Sequence, residues 1–325
     1  MIVPQFWAEA RLRQREPGRQ ISVHRYGWSD TSQAAAQAHA ESRAAEALKR
    51  LLAGEKLERR EAKRAYNGAE GVPIREEIVE RHGASIITRN AYGARCLNTP
   101  DVLFADIDFS DAPGWRLSLI CFVLLALLAA SHDLSRHSPG SFALGLFAAA
   151  VLAQPCARGL WLGYRRLCGG AQGLAERRLR RFLARHPQWS LRLYRTPAGL
   201  RVLATQQTFA ADDPQVAAFF EAIGSDPLYV RMCLRQRCFR ARLSAKPWRI
   251  GIGRHLRPRP GVWPVAAEHL PQRAAWIEDY ERRARDYAAC RYLKTLGSEC
   301  THPQVQPVLA LHDRMSGALS ARALA

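Results

Sequence analysis

The sequence predicts an α+β protein whose globular part is interrupted by a two-helix transmembrane hairpin. Short strand-like runs lie on both sides of the middle of the chain, helical runs lie among them, and two nearly uncharged apolar runs lie within residues 115–164. We therefore expect an N-terminal α+β part over residues 1–110 and a C-terminal α+β part over 170–300, with a tail over 301–325.

The composition and net charge limit the kinds of binding partner and the cellular compartment that we expect for this protein. The chain has 325 residues, 48% hydrophobic content and a formal net charge of +19, which favours nucleic acid, nucleotides or an anionic membrane face as neighbours. Its start lacks the apolar core of a signal peptide. The eight cysteines show no C-x-x-C pair, so we expect them to be reduced and cytoplasmic. Cys290, Cys300 and His302 have poor spacing for structural zinc.

On the N-terminal side, alternation and capping residues predict the elements. Residues 21–28 alternate like a strand. An Ala-rich helix is expected from Thr31 to Ala53, with Ser29 or Asp30 as its cap. The other predictions here are a loop over 55–71, a short helix over 74–83, and strands over 85–89, 94–98 and 102–109.

The transmembrane prediction rests on two apolar runs, Leu117–Ala130 and Phe142–Tyr164. A surface helix would carry a polar stripe, so the near absence of charge favours a membrane over the alternative, a buried hairpin in a soluble core. Basic residues flank the second run far more than the turn between the runs, which has only Arg136. They are Arg165, Arg166, Arg177, Arg178, Arg180 and Arg181. We therefore expect a two-pass protein of a bacterial inner membrane with both termini cytoplasmic.

Beyond the hairpin, the pattern again alternates between helices and strands. We expect helices over 174–186 and 215–223, a long helix over 274–296, and strands over 189–194, 200–205, 229–234 and 238–243. Residues 246–264 are rich in Pro, Gly and Arg and are expected to be irregular. The tail is expected to be weakly ordered.

A pair of acids in an apolar strand is the sharpest chemical signal. Asp106 and Asp108 lie two residues apart in LFADIDF, so both side chains point to the same side of a strand. Two carboxylates on one face repel each other, and Mg²⁺ or Mn²⁺ would relieve that repulsion. For the same reason we expect the fold to tolerate the neutralisation of both. The alternative is a strand that ends in solvated acids.

Two further segments offer groups that bind phosphate. The turn Tyr194–Arg201 has Arg195, Thr196, Gly199 and Arg201, which could present guanidinium and backbone N–H groups. The segment 226–246 begins with Asp226, which is expected to lead a strand, and continues with a second strand. That second strand and its end contain Arg240, Arg242 and Lys246. The alternatives are an ordinary hairpin with solvated arginines and a charged β-hairpin.

Taken in order, DID, TPAGLR and SDPLYV…CFRARLSAK resemble the motifs of the archaeo-eukaryotic primase and primase-polymerase superfamily, over about residues 86–250 without the hairpin. The resemblance implies a primase-like mixed sheet. It also implies that Asp106, Asp108 and Asp226 hold Mg²⁺ or Mn²⁺, that the turn binds the phosphates of the nucleotide, and that Arg240 and Lys246 contact phosphate.

Two departures bear on activity. Arg201 stands where that superfamily has His, and Pro227 follows the third acid. In addition, the apolar hairpin begins a few residues after Asp108. Nucleotide binding or nucleotidyl transfer by a membrane-tethered and degenerate enzyme is one hypothesis. The other is a non-catalytic membrane protein whose basic surface binds anionic lipid, nucleic acid or a partner protein. The test between them is whether Asp226 approaches the other two acids.

Overall fold

A computed structural model describes residues 3–16, 19–62, 72–109, 112–134, 139–259 and 261–325. Its strands are β1 (Phe6–Glu16), β2 (Arg19–Ser29), β3 (Glu77–His82), β4 (Ser85–Arg89), β5 (Arg95–Thr99), β6 (Phe104–Asp108), β7 (Ser190–Arg195), β8 (Gly199–Ala204), β9 (Phe239–Arg242), β10 (Tyr287–Ala288), β11 (Arg291–Gly297) and β12 (Ala323–Leu324). Its helices are α1 (Gln33–Leu52), α2 (Trp115–Leu134), α3 (Pro139–Leu167), α4 (Gly170–Arg185), α5 (Pro214–Ile223), α6 (Pro227–Gln236), α7 (Leu270–Ala284) and α8 (Gln306–Ser316).

Two four-stranded sheets organise the α+β part, in the orders β11-β7-β8-β6 and β3-β4-β5-β9. Each sheet combines strands from before and after the apolar helices, so the N-terminal and C-terminal parts share both sheets. All the pairings within these two sheets are antiparallel, whereas the resemblance implies a mixed sheet. A parallel pair occurs between the short strands β10 and β12.

The main core lies around β6, β7 and β8. It includes Phe104 of β6, Leu179 of α4 and the neighbouring rings Phe219 and Phe220 of α5, all almost fully buried. Burying each such side chain stabilises the fold by about 1.5–3 kcal/mol. The apolar packing fixes β6 between helices and β8, and β6 is the strand that holds the acid pair.

The N-terminal layer is built by α1 on the hairpin of β1 and β2. Ala36, Ala40 and Ala44 recur every four residues and form the buried face of α1. A Cβ at Gly27 of β2 would lie 2.2 Å from the backbone nitrogen of Ala40. Small residues on both sides therefore allow the helix to approach the strand backbone closely.

The two apolar helices α2 and α3 pack antiparallel to each other. Ser118 at the start of α2 donates to Gln154 late in α3 at 2.7 Å, and Gly145 early in α3 faces Ala129 late in α2. Both helices are long and apolar enough to cross a membrane. Only 6% of the residues in the apolar segment of α2 and 17% in that of α3 are buried. The pair is therefore not a core element of the globular part.

For two segments the predicted type of secondary structure is wrong. Residues 77–82 form strand β3 rather than a helix, because all of them except Val79, which lies at a bulge, pair with the buried strand β4. Residues 227–236 form helix α6 rather than a strand. Asp226 caps that helix, and Pro227 takes its first position, where a missing N–H costs nothing.

The C-terminal predictions also need correction. The long helix expected over 274–296 ends at Ala284, and Arg291–Gly297 instead pairs as β11 with β7. The tail is ordered: it forms α8, whose His312 is fully buried, and β12. At the N-terminal helix, Ser32 is the cap instead of Ser29 or Asp30. Most of the loop predicted over 55–71 lies outside the described residues.

Candidate functional site

A cavity of about 280 Å³ lies where the two four-stranded sheets meet. It is lined by β6, β8 and β9, the start of α6, and the segment after β9. The lining residues are Asn90, Tyr92, Cys96, Asp106, Asp108, Thr196, Ala198, Arg201, Asp226, Leu228, Tyr229, Met232, Arg240, Arg242, Lys246 and Arg249.

The three acids come together in this cavity. The backbone N–H of Asp226 donates to the carbonyl of Asp106 at 2.9 Å, which fixes the start of α6 against β6. The Tyr229 hydroxyl, one turn later, donates to the Phe104 carbonyl at 2.9 Å. The carboxylate of Asp226 also caps α6, accepting the N–H groups of Leu228 and Tyr229 at 3.2 Å.

Asp106 has a built-in counter-ion. The register of β6 and β8 sets it opposite Arg201, and its two carboxylate oxygens accept from the Arg201 guanidinium at 2.9 and 3.3 Å. The Arg201 side chain is only 3% exposed, and its Nη1 donates to the Arg242 carbonyl at 2.9 Å. One of the three acids is therefore already neutralised by the protein, and sequence reasoning that treated both acids of the pair alike was incomplete.

Asp108 is the available acid. It lies exposed at the mouth of the cavity and has no hydrogen-bond or ion-pair partner among the described residues. Loss of hydration, followed by the negative charges of Asp106 and Asp226, raises its pKa above the usual range, against the opposing effect of Lys246 and Arg249. Uncompensated negative charge at this point favours a cation.

Three further cations line the same cavity: Arg242, Lys246 and Arg249. Burial, and then the charges of Arg242 and Arg249, lower the pKa of Lys246. Burial and Arg242 likewise lower the pKa of Arg249. The buried Nη1 of Arg249 has no hydrogen-bond partner among the described residues. Crowded cations with an unused donor favour an anion between them.

The remaining predicted residues have other contacts. Arg240 lines the cavity, but its guanidinium donates to Glu76 at 2.7 and 2.9 Å and to Asn98 at 3.1 Å. Arg195 and Gly199 do not line the cavity. Arg195 donates to the Gly199 carbonyl at 3.2 Å, and the Gly199 N–H donates within the turn to the Thr196 hydroxyl at 3.0 Å. That N–H is therefore already used.

The packing of β8 against β6 explains instead why position 199 is a glycine. A Cβ there would lie 1.9 Å from the Ile107 carbonyl oxygen, so only glycine lets β8 approach β6 this closely. The cavity thus unites eight predicted residues: Asp106, Asp108, Thr196, Arg201, Asp226, Arg240, Arg242 and Lys246.

Sequence reasoning missed Arg249 and Tyr92. Arg249 belongs to the 3₁₀ turn Pro247–Ile250, which lies within the segment that the sequence predicts to be irregular, so its position beside Lys246 follows from the structure alone. Tyr92 lies in the turn between β4 and β5, and no pattern in the sequence links that turn to the segment after β9.

A buried polar network supports Arg201 from behind. His312 Nε2 lies 3.5 Å from Arg201 Nη1, and His312 Nδ1 lies 3.0 Å from Asp313. Asp313 in turn accepts from Arg192 at 2.7 Å. Cys290 Sγ lies 3.8 Å from His312 Nε2 and donates to Ser316. The C-terminal tail therefore helps to position a side chain of the site, contrary to the sequence expectation.

The donor set bears on the metal. Among the described ranges, no group of three or more His, Cys, Asp or Glu side chains is arranged to hold an ion. Asp106 is paired, and Asp226 caps a helix. Mg²⁺, however, is usually bound by one or two carboxylates together with phosphates of the substrate. The carboxylates therefore fit an ion that binds together with a phosphate ligand, with Asp108 as the available oxygen donor and Asp226 beside it.

Comparison of the chain with models of known families, with curated proteins and with solved structures gives no match. The functional argument therefore depends on the geometry and charges of this cavity.

Proposed function

We propose that this is a membrane-anchored protein whose cytoplasmic α+β domain binds a nucleotide together with Mg²⁺ or Mn²⁺. The observation that supports it is the meeting, in one cavity, of three acids from β6 and the start of α6 with the three cations of the segment 242–249. This arrangement matches both charges of a metal–phosphate ligand.

The cations of the cavity would hold the phosphates. Arg249 brings an unused buried N–H group, and Lys246 and Arg242 bring positive charge whose mutual repulsion an anion relieves. Charge-assisted hydrogen bonds of this kind contribute about 1.5–3 kcal/mol each. Arg240 positions the wall through Glu76, because its own guanidinium is engaged there.

Asp108 and Asp226 would hold the divalent ion. When bound, such an ion neutralises phosphate charge and polarises the phosphoryl group. Asp106 contributes less, because Arg201 already supplies it with positive charge. This pairing favours nucleotide binding over nucleotidyl transfer that depends on two metal ions, and it suits a degenerate relative of the primase-polymerase enzymes.

The proposed membrane anchor rests on the exposure of the apolar side chains of α2 and α3. The apolar faces of α2 and α3 are open rather than covered by the globular part, which is unfavourable in water and favourable in lipid. The arginines after α3 would keep both termini in the cytoplasm. For a bacterial inner-membrane protein, a single cysteine at Ser135, in a background without the natural cysteines, should react with an impermeant maleimide in intact cells. Labelling of a cysteine at Ala321, an exposed position of the C-terminal segment, would instead reverse the topology.

Calorimetry on the detergent-solubilised full-length protein tests nucleotide binding. We expect Mn²⁺-dependent binding of a nucleoside triphosphate, and we expect Asp108→Asn to abolish the dependence on Mn²⁺. Asp108 is the suitable acid to change because Asp106 neutralises a buried arginine and Asp226 caps a helix. Asp212→Asn, an exposed acid outside the cavity, is the matched control.

The alternative is a non-catalytic, membrane-tethered interaction protein that binds anionic lipid, nucleic acid or a protein partner. The basic helix α4 favours it, since it follows α3 directly and exposes Arg177, Arg178 and Arg181. If the wild-type protein binds neither Mn²⁺ nor nucleotide at millimolar ligand, this alternative replaces the first proposal.

A further inference from the structure

An exposed tryptophan lies beside the cavity. Trp248 belongs to the 3₁₀ turn between Lys246 and Arg249, two of the three crowded cations. It is 53% exposed, while its neighbours Pro247 and Ile250 are buried. The turn therefore anchors itself through the flanking apolar residues and leaves the indole in solvent.

The indole is nevertheless held by side chains that line the cavity. The Tyr92 ring packs edge-on to it, with ring centroids 5.3 Å apart and an interplanar angle of 64°. The Lys246 ammonium lies 5.4 Å from its ring centroid. Contacts of this type limit the rotation of the ring, and a preorganised aromatic surface loses little entropy when a ligand binds.

We propose that Trp248 is the stacking surface for the base of the bound nucleotide. The inference rests on the proposed function, because it takes the phosphates to lie among Arg242, Lys246 and Arg249. Trp248 does not itself line the cavity, but both of its contacts, Tyr92 and Lys246, do. A ligand with phosphates on these cations would therefore have its base near the indole.

Stacking also defines the substrate class. Every base has a π-face, so an aromatic surface binds bases with little sequence preference. The site should accept purine and pyrimidine nucleotides alike, with the selectivity for a nucleotide over inorganic polyphosphate coming from Trp248. The Lys246 ammonium contacts the indole and also lines the cavity. The stacking surface therefore lies next to the cations that would bind the phosphates, and a nucleotide needs both contacts close together.

The experiment compares two ligands on the detergent-solubilised full-length protein, a nucleoside triphosphate and inorganic tripolyphosphate, both with Mn²⁺. For Trp248→Ala we expect the Kd of the nucleotide to rise about tenfold, the usual scale for a lost base–aromatic stack, and the Kd of tripolyphosphate to stay within about twofold. Trp248→Phe should restore most of the nucleotide affinity. Leu319→Ala, at an even more exposed apolar residue that does not line this cavity, should change neither constant.

The outcomes separate the two proposals. If the wild-type protein binds both ligands but Trp248→Ala changes neither constant, or weakens both equally, the proposed function stands and the stacking surface is wrong. If the wild-type protein binds neither ligand, the proposed function fails and the stacking inference fails with it. Quenching of tryptophan fluorescence by the nucleotide, lost in Trp248→Phe, would give independent support.

Discussion

The apolar hairpin and the α+β domain contain similar hydrophobic side chains, but most of the large ones are exposed in the hairpin and buried in the domain. In α2 the large residues Leu124, Leu127 and Leu128 are exposed, and the most buried residues between α2 and α3 are small ones such as Cys121 and Ala153. In the domain, most of the large hydrophobic residues are buried in the core. A hydrophobic side chain faces whatever environment is least polar. This difference agrees with the proposed membrane anchor, in which lipid surrounds the hairpin and water surrounds the domain.

The largest effect should come from removing the hairpin. Replacing residues 113–169 by a Gly-Ser linker should make the protein soluble without detergent. The linker needs about ten residues, since α3 extends 13 residues past Gln154, its contact with the start of α2, or about 20 Å. Ultracentrifugation after a carbonate wash measures the result. If the unmodified protein remains in the supernatant, the hairpin is not a membrane anchor.

A charge on the outer face of α2 gives a finer version of that test. Leu127→Lys should weaken membrane retention, because a lysine at a helix centre costs about 2.5–3.5 kcal/mol to insert. Leu319→Lys, which is similarly exposed on the α+β domain, should have no effect on retention. Equal behaviour of the two variants would show that both surfaces face water.

Inside the domain, a buried ion pair should be the most sensitive polar contact. Glu76 is fully buried and accepts from Arg240 and from Thr88 at 2.6 Å. Glu76→Gln leaves the Arg240 charge uncompensated and should lower the free energy of unfolding by about 3–5 kcal/mol. Chemical denaturation of the hairpin-free protein measures it. The control Glu80→Gln, at an exposed acid, should change it by less than about 0.5 kcal/mol.

At the cavity, Lys246→Ala should weaken nucleotide binding without a large loss of stability. A lost charge-assisted contact to phosphate costs about 1–3 kcal/mol, or roughly fivefold to 150-fold in Kd. Lys294→Ala, whose ammonium pairs with Glu176 away from the cavity, is the control. Equal loss of affinity in both variants would show that general positive charge, and not this site, attracts the ligand.

The smallest effect concerns the pH dependence of stability. The folded-state pKa of Asp108 is raised, so the stability that this group contributes is present below its unfolded pKa of about 3.9 and is lost as pH rises through the folded value. At pH 7, Asp108→Asn should therefore be as stable as wild type or up to about 0.5 kcal/mol more stable. The difference should shrink toward pH 4. Thermal unfolding at several pH values measures this difference. A variant that is less stable than wild type at pH 7 would contradict a raised pKa of Asp108 in the folded protein.

Asp106→Asn should behave differently, although sequence reasoning treats the two acids alike. Its carboxylate is the partner of the buried Arg201, so its loss should destabilise the fold. The strand pattern alone predicts which way Asp106 points, but the partner comes from β8, almost a hundred residues later. Register between distant strands cannot be read from either strand separately.

The wrong predictions have the same origin. Residues 77–82 contain Glu and Arg that suit a helix, yet pairing with β4 makes them a strand, because β propensity depends mainly on neighbouring strands. Residues 291–297 form an edge strand because β7 offers free backbone groups. The local pattern did predict β4, β5, β6, β7 and β8, whose apolar runs are buried on both sides.

The sequence by itself determined the two apolar helices, most of the central strands, and the side to which the acid pair points, because these depend on the period of hydrophobicity and on residues close together in the chain. It also indicated the three acids and several of the cations that line the cavity, although it missed Arg249 and included Arg195, which lies outside it. Only the tertiary structure decided that Arg201 neutralises Asp106, that Asp226 begins a helix, and that the C-terminal helix α8 supports Arg201. Those contacts join elements far apart in sequence, and their geometry depends on how the sheets and helices pack.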